Sequence, residues 1–236
     1  MSDPIPVPPA DWGPPASAAT VGVARRDVTP PLGIRTANWG APGRFERAEG
    51  VHMPLTITAV ALSSADQQPC YLVSTDLGWW REAADEASVR EPVLAALGVA
   101  PERLLIHLVH THSGPSLSRS AVAEPGGDLV PAYLDTVVAA IIDACREAAA
   151  SARPAEITWG TGSCRLAVVC DLPYGDRDVT GFNPDVAADD TIVVGRIADT
   201  AGVTMATILN YACHPTTLAW QNPLLSPDFI GPARRV

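Results

Sequence analysis

Basic residues are in short supply. Sixteen lysines and arginines face 26 aspartates and glutamates, a formal net charge of −10 over 236 residues. Such a surface repels polyanions, so binding nucleic acid through a basic face is excluded. Long apolar runs are also missing: none approaches the roughly 18 residues of a membrane-crossing helix, so no transmembrane segment is expected. Residues 1–15 hold six prolines, no basic residue and no apolar segment of the kind that directs secretion. The expectation is a cytoplasmic protein, secreted only if its true start lies further upstream, with residues 1–20 as a flexible Pro-rich leader.

Cysteine is sparse and its spacing is uninformative. The five cysteines (Cys70, Cys145, Cys164, Cys170 and Cys213) are odd in number and form no C-x-x-C pair. That argues against a disulfide framework or a zinc knuckle, and all five read as small buried hydrophobes. The dinucleotide-binding glycine fingerprint and the P-loop pattern are both absent, so nucleotide binding has no motif support.

What is present is a succession of short apolar runs closed by turn residues. A strand starts at Val21, and the prolines and glycine of 29–33 turn the chain. Residues 35–51 read as a Gly-rich surface loop. Strands over 55–63 and 69–75 flank a turn at 64–68 and make a hairpin that ends in Asp76. A helix over 81–97 has Gly98 in place to end it, and Pro92 is expected to bend or split it. A strand beginning at Leu104 follows.

Leu134, Val137, Val138, Ile141 and Cys145 recur at helical spacing and predict a helix over 131–152. A strand over 155–166 is broken at Gly160 and Gly162, and 170–190 reads as a long loop. A second hairpin, 191–198 with 203–212, turns at 199–202. Ser226 and Pro227 resemble the N-cap and first residue of a helix. The fold class is α/β of the α+β type, with mixed β-sheets built from hairpins and flanked by helices.

The chemistry gathers where one apolar run stops. Residues 104–109 lead into His110, Thr111, His112, Ser113, Gly114 and Pro115. In an extended strand, side chains two apart share a face, so His110 and His112 can meet one metal ion or one substrate. A glycine and a proline next door let backbone approach a ligand closely. His214 ends another apolar run in the same manner. His107 falls mid-strand on the opposite face and reads as a core or interface histidine. His52, in a loop, carries no signal.

The metallo-β-lactamase pattern is not met, because Ser113, Gly114 and Pro115 stand where its Asp and His would be. Ser113 beside His112 invites a Ser/His hydrolase, but no nucleophile elbow surrounds it. Asp76 and Asp228 could orient a ligand histidine. Arg165 could hold a substrate carbonyl or carboxylate. Trp79 and Trp80 read as core residues or walls of an apolar pocket.

Taken together, these stretches resemble the neutral/alkaline non-lysosomal ceramidase family. The likeness rests on Val21–Ile34, on His110-Thr-His-Ser-Gly-Pro115, on Asn210-Tyr-Ala-Cys-His-Pro-Thr216 and on Asn222 with Ser226-Pro-Asp-Phe-Ile-Gly231. In order and spacing they are similar to the N-terminal half of that catalytic domain, over 21–236. The resemblance implies a zinc-dependent hydrolase of an N-acyl amide, a small-molecule amide or a ceramide-like lipid. In it, metal-activated water attacks the amide carbonyl.

By the same resemblance, His110 and His214 are zinc ligands and His112 stands at the scissile amide as oxyanion donor or proton relay. Arg165 is the substrate-binding candidate. The family's further Glu and Tyr ligands have no counterpart: no glutamate follows Glu156, and the last tyrosine is Tyr211. The chain is therefore expected to be a truncated half-domain, with association through its uncovered face. A non-catalytic remnant is the alternative to an active enzyme.

Overall fold

A computed structural model describes residues 17–36, 38–39, 46–64 and 67–235. Most of the expected leader, and residues 37 and 40–45 of the expected Gly-rich loop, lie outside these. Among the described residues the fold is mixed α/β, and it divides into two compact units. One comprises Thr20–Arg153 with His214–Val236; the other is built mainly from Pro154–Cys213.

β1 (Ser17–Asp27), which belongs to the first unit from Thr20 onward, starts earlier and runs longer than its sequence suggests. After the two-residue β2 (Gly50–Val51) come β3 (Thr56–Ser63) and β4 (Cys70–Thr75), the expected hairpin. β1 pairs antiparallel with β3, and β3 antiparallel with β4. The chain then crosses through α1 (Ala83–Leu97) to β5 (Leu104–Leu108), which lies parallel to β4. A parallel neighbour needs such a crossover, because a tight turn cannot reverse the strand direction twice.

Alternation places Ile57, Ala59 and Ala61 of β3 and Tyr71 and Val73 of β4 in the core. Over them lies α2 (Val130–Ala150), which buries Leu134, Val137, Ile141 and Cys145 as its periodicity requires. Close approach of α2 to β1 depends on Gly22, where a Cβ would stand 1.8 Å from the carbonyl oxygen of Ala148. Pro92 neither ends nor splits α1, which continues to the left-handed Gly98 (φ 63°).

In the second unit, β6 (Arg153–Ser163) runs unbroken through Gly160 and Gly162. Continuous antiparallel pairing with a neighbour outweighs the weak strand preference of glycine. The expected loop at 170–190 contains a small hairpin, β7 (Asp171–Tyr174) and β8 (Arg177–Thr180), turning at Gly175 with φ 68°. β9 (Thr191–Asp199) and β10 (Thr204–Tyr211) form the second expected hairpin, and β9 pairs with β6.

Returning to the first unit, β11 (Leu224–Leu225) pairs parallel with β2, and a short helix, α3 (Ile230–Ala233), closes the chain. α3 starts later than Ser226 and Pro227 suggest. The Ser226 hydroxyl instead accepts from the Asp228 amide at 3.1 Å, a local turn bond. No helix among the described residues is long and apolar enough to cross a membrane.

The cysteines do not share one environment. Cys145 is buried, Cys164 and Cys213 are partly exposed, and Cys70 and Cys170 are exposed. The expectation of five buried thiols fails because Cys70 and Cys170 stand at element edges rather than on an inward face.

Candidate functional site

β4 and β5 run in parallel and stop side by side. The amide of Val109 donates to the Thr75 carbonyl and that of His110 to the Leu77 carbonyl, both at 3.0 Å. Beyond this point the chain leaves the sheet. His110 has φ 66°, a left-handed conformation uncommon outside glycine but enriched in His, Asn and Asp. The sequence-based reason for placing His110 and His112 together, alternation along a strand, is therefore incorrect: β5 ends at Leu108. A turn brings the two rings together instead, with centroids 5.3 Å apart.

The turn is held from inside. Thr111 is fully buried, and its hydroxyl donates to the Ser226 carbonyl at 2.7 Å while accepting from the Ser113 amide at 3.1 Å. Gly78 packs beneath it, where a Cβ would meet the Thr111 carbonyl at 3.2 Å. Asn38 Nδ2 donates to the Gly114 carbonyl at 2.7 Å.

His214 comes from a different loop and meets the pair. Its Nε2 stands 2.8 Å from Nε2 of His112, and its ring centroid lies 4.9 Å from that of His110. The three imidazoles offer ligand atoms that all lie within 4.8 Å of one another. Three such donors converging on one point can hold a metal ion, and imidazole nitrogen is a good ligand for zinc.

Two indoles wall the cluster. Trp79 stacks at 4.8 Å from both His110 and His112, and Trp39 lies 4.5 Å from His112. The guanidinium of Arg81 lies over the outer part of this wall, 5.7 Å from the Trp79 ring. This environment favours the neutral form of His110 and His112. Burial, and then the neighbouring His214, hold His110 below the ordinary histidine range. His112 is pushed down to about 4, by burial first and by His214 and His110 next, against the backbone of Asn38 and the charge of Asp228. A neutral imidazole is the form that binds metal.

The other sequence candidates have partners of their own. Arg165 belongs to the second unit, where it is exposed and paired with Asp190 at 3.3 Å. His107 is exposed on β5 rather than buried, and His52 contacts the Ser226 hydroxyl at 3.1 Å. The Ser113 hydroxyl is nearly buried and accepts from Asn222 Nδ2 at 3.1 Å, the setting of a turn hydroxyl. Asp76 binds Thr56 and Arg234, and Asp228 binds Thr217 in the loop after His214. Trp39 and Asn38 are given no place in the site by the sequence, and Asn222 enters only as part of the family likeness. Trp39 sits in a polar, Gly-rich stretch with no periodicity, and only the fold brings it to the histidines.

No protein-family model matches the chain, and no curated protein sequence matches it. Solved structures do. The crystal structure of neutral ceramidase from Pseudomonas aeruginosa is similar with a TM-score of 0.69 at 24% identity, over 90% of this chain and 34% of that one. A ceramidase complexed with C2 is similar with a TM-score of 0.66 at 22% identity, over the same shares. The fold is that of part of a ceramidase-like domain, and the chain spans about a third of the length of the proteins it matches.

Proposed function

We propose that this chain carries the histidine half of a zinc-dependent amidohydrolase site acting on an N-acyl amide, with ceramide-like lipids as the substrate class. The observation that carries the proposal is the convergence of His110, His112 and His214 from two loops, ligand atoms within 4.8 Å. The likeness to ceramidase structures supports the substrate class. Trp39 and Trp79 suit it too, because they give the site an apolar, water-poor wall beside the imidazoles.

His110 and His214 are assigned to hold the ion. A bound zinc supplies a Lewis acid and lowers the pKa of water to about 7. His112 has a separate task. With its pKa near 4, it is a poor base at neutral pH, so its neutral N–H is suited to donating a hydrogen bond to the oxygen of the reacting carbonyl. Arg165, exposed and paired with Asp190 at 3.3 Å, is kept as the candidate to hold a substrate carbonyl or carboxylate.

Metal analysis with amide hydrolysis tests the proposal. One zinc per chain is expected. His110→Ala and His214→Ala should each weaken binding by at least about 100-fold, as loss of a ligand costs more than loss of its outer support. His112→Ala should retain zinc and lose about 10²–10³-fold in turnover of a fluorogenic N-acyl amide. Protein that takes up no zinc, or takes it up equally without His110, would refute the site.

A further inference from the structure

We infer that Asp228 is a positioning residue that sets the spacing of the three imidazoles by holding the loop of His214 to the loop of His110 and His112. The inference rests on the metal-site reading above and adds to it the part of the chain that builds the site.

The two histidine-bearing loops come from distant parts of the chain, and the segment 222–228 bonds to both. Toward the first loop, the Ser226 carbonyl accepts from the Thr111 hydroxyl at 2.7 Å and the Ser226 amide donates to the Ser113 carbonyl at 2.9 Å. Asn222 Nδ2 adds a bond to the Ser113 hydroxyl at 3.1 Å. These contacts bracket His112 on both sides in sequence.

Toward the second loop the contact is the Asp228 carboxylate. Oδ1 accepts from the Thr217 hydroxyl at 2.5 Å, the Thr217 amide at 3.2 Å and its own neighbour's amide, Phe229, at 2.6 Å. Oδ2 accepts from the Leu218 amide at 3.1 Å. Every one of these partners is a donor, so the carboxylate is suited as a pure acceptor and an amide is not. Thr217 and Leu218 lie three and four residues after His214.

The clamp is rigid. Ser226 is fully buried, Asp228 is 3% exposed, and Asp228 holds a left-handed φ of 56°. A non-glycine residue keeps that conformation only where its surroundings over-determine it. Two residues apart, Ser226 and Asp228 therefore join the pair His110 and His112 to His214, whose nearest ring nitrogens stand 2.8 Å apart. Outer groups that orient metal-binding histidines usually do so by direct hydrogen bonds to the ring. Here the orientation passes through backbone, by fixing where each loop lies.

The test compares wild type, Asp228→Asn and Ile141→Val. Asn keeps the size but turns an acceptor toward donors. Ile141→Val trims the buried face of α2 and lowers Tm by a few degrees. In metal-free protein, nuclear Overhauser contacts between the His112 and His214 rings are expected in wild type and Ile141→Val and lost in Asp228→Asn. Zinc affinity by chelator competition should fall about 10–100-fold in Asp228→Asn alone.

Ring contacts that persist in folded Asp228→Asn overturn the inference whether or not zinc binds. Wild type that shows the ring contacts but takes no zinc refutes the metal reading and leaves the clamp standing. Should Asp228→Asn fail to fold, Thr217→Val removes one donor of the clamp, and the same ring contacts should weaken. Unchanged contacts there overturn the inference equally.

Discussion

His112 shows most clearly what crowding does to a single residue. Its ring is hemmed in by Trp39, Trp79, His110 and His214, so a proton on it would lose water and meet neighbouring rings that repel added positive charge. In metal-free protein its titration midpoint, read by NMR, should lie near about 4 rather than 6.5. The linkage has a definite sign. The unfolded chain binds the proton more readily than the folded one, so the contribution of His112 to stability is full above pH 6.5. It is lost as the pH falls through about 4. His110, shifted the same way, adds to the effect. A chemical denaturation series in EDTA should show this loss, and His112→Gln should flatten it. A midpoint at or above 6.5 would mean that the rings are not packed together.

At the scale of the element, α1 and β1 contain opposite compromises. α1 carries Pro92 in its interior, on an exposed face, where the ring removes an amide and crowds the carbonyl four residues earlier. Pro92→Ala should therefore stabilise the protein by about 1–3 kcal/mol, seen as a higher Tm with the same denaturant slope. β1 needs its glycine. A methyl group at Gly22 would overlap the Ala148 carbonyl, which is backbone of α2 and cannot rotate away. Gly22→Ala should cost at least about 1–3 kcal/mol by pushing α2 off the sheet, and retained stability would contradict that packing.

At the scale of the molecule, the closing segment is bonded into the body of the first unit. Asp76 follows β4 and is fully buried, and both its oxygens meet the Arg234 guanidinium, each at 2.6 Å. Thr56 donates to the same carboxylate through its amide and its hydroxyl, each at 2.8 Å. The ion pair and the donors on Oδ2 offset the desolvation of the buried carboxylate, and removing one partner leaves the other uncompensated. Asp76→Asn should cost about 3–5 kcal/mol. It should also raise hydrogen exchange over 224–235 and, through Ser226 and Asp228, over 111–113 and 217–218. Exchange confined to residue 76 and its neighbours would show that the closing segment is held by other means.

Much of this was legible in the sequence, for reasons that are local. Strand and helix periods, the hairpin turns, Gly98 as a helix end and the three histidines at the ends of apolar runs all follow from residue type and spacing. So does the mixed α/β class. The rest depended on partners far away in the chain. Gly160 and Gly162 stay in a strand because a neighbouring strand pairs across them. His110 and His112 meet through a left-handed turn that buried Thr111 and Ser226 hold in place, not through strand alternation. Asp228 is a sequence candidate for orienting a ligand histidine, and only the fold sets it against Thr217. The sequence alone determined which side chains could bind a metal. Only the tertiary structure decided that they converge, because convergence depends on hydrogen bonds between segments more than 100 residues apart, such as Thr111 to Ser226 with its separation of 115.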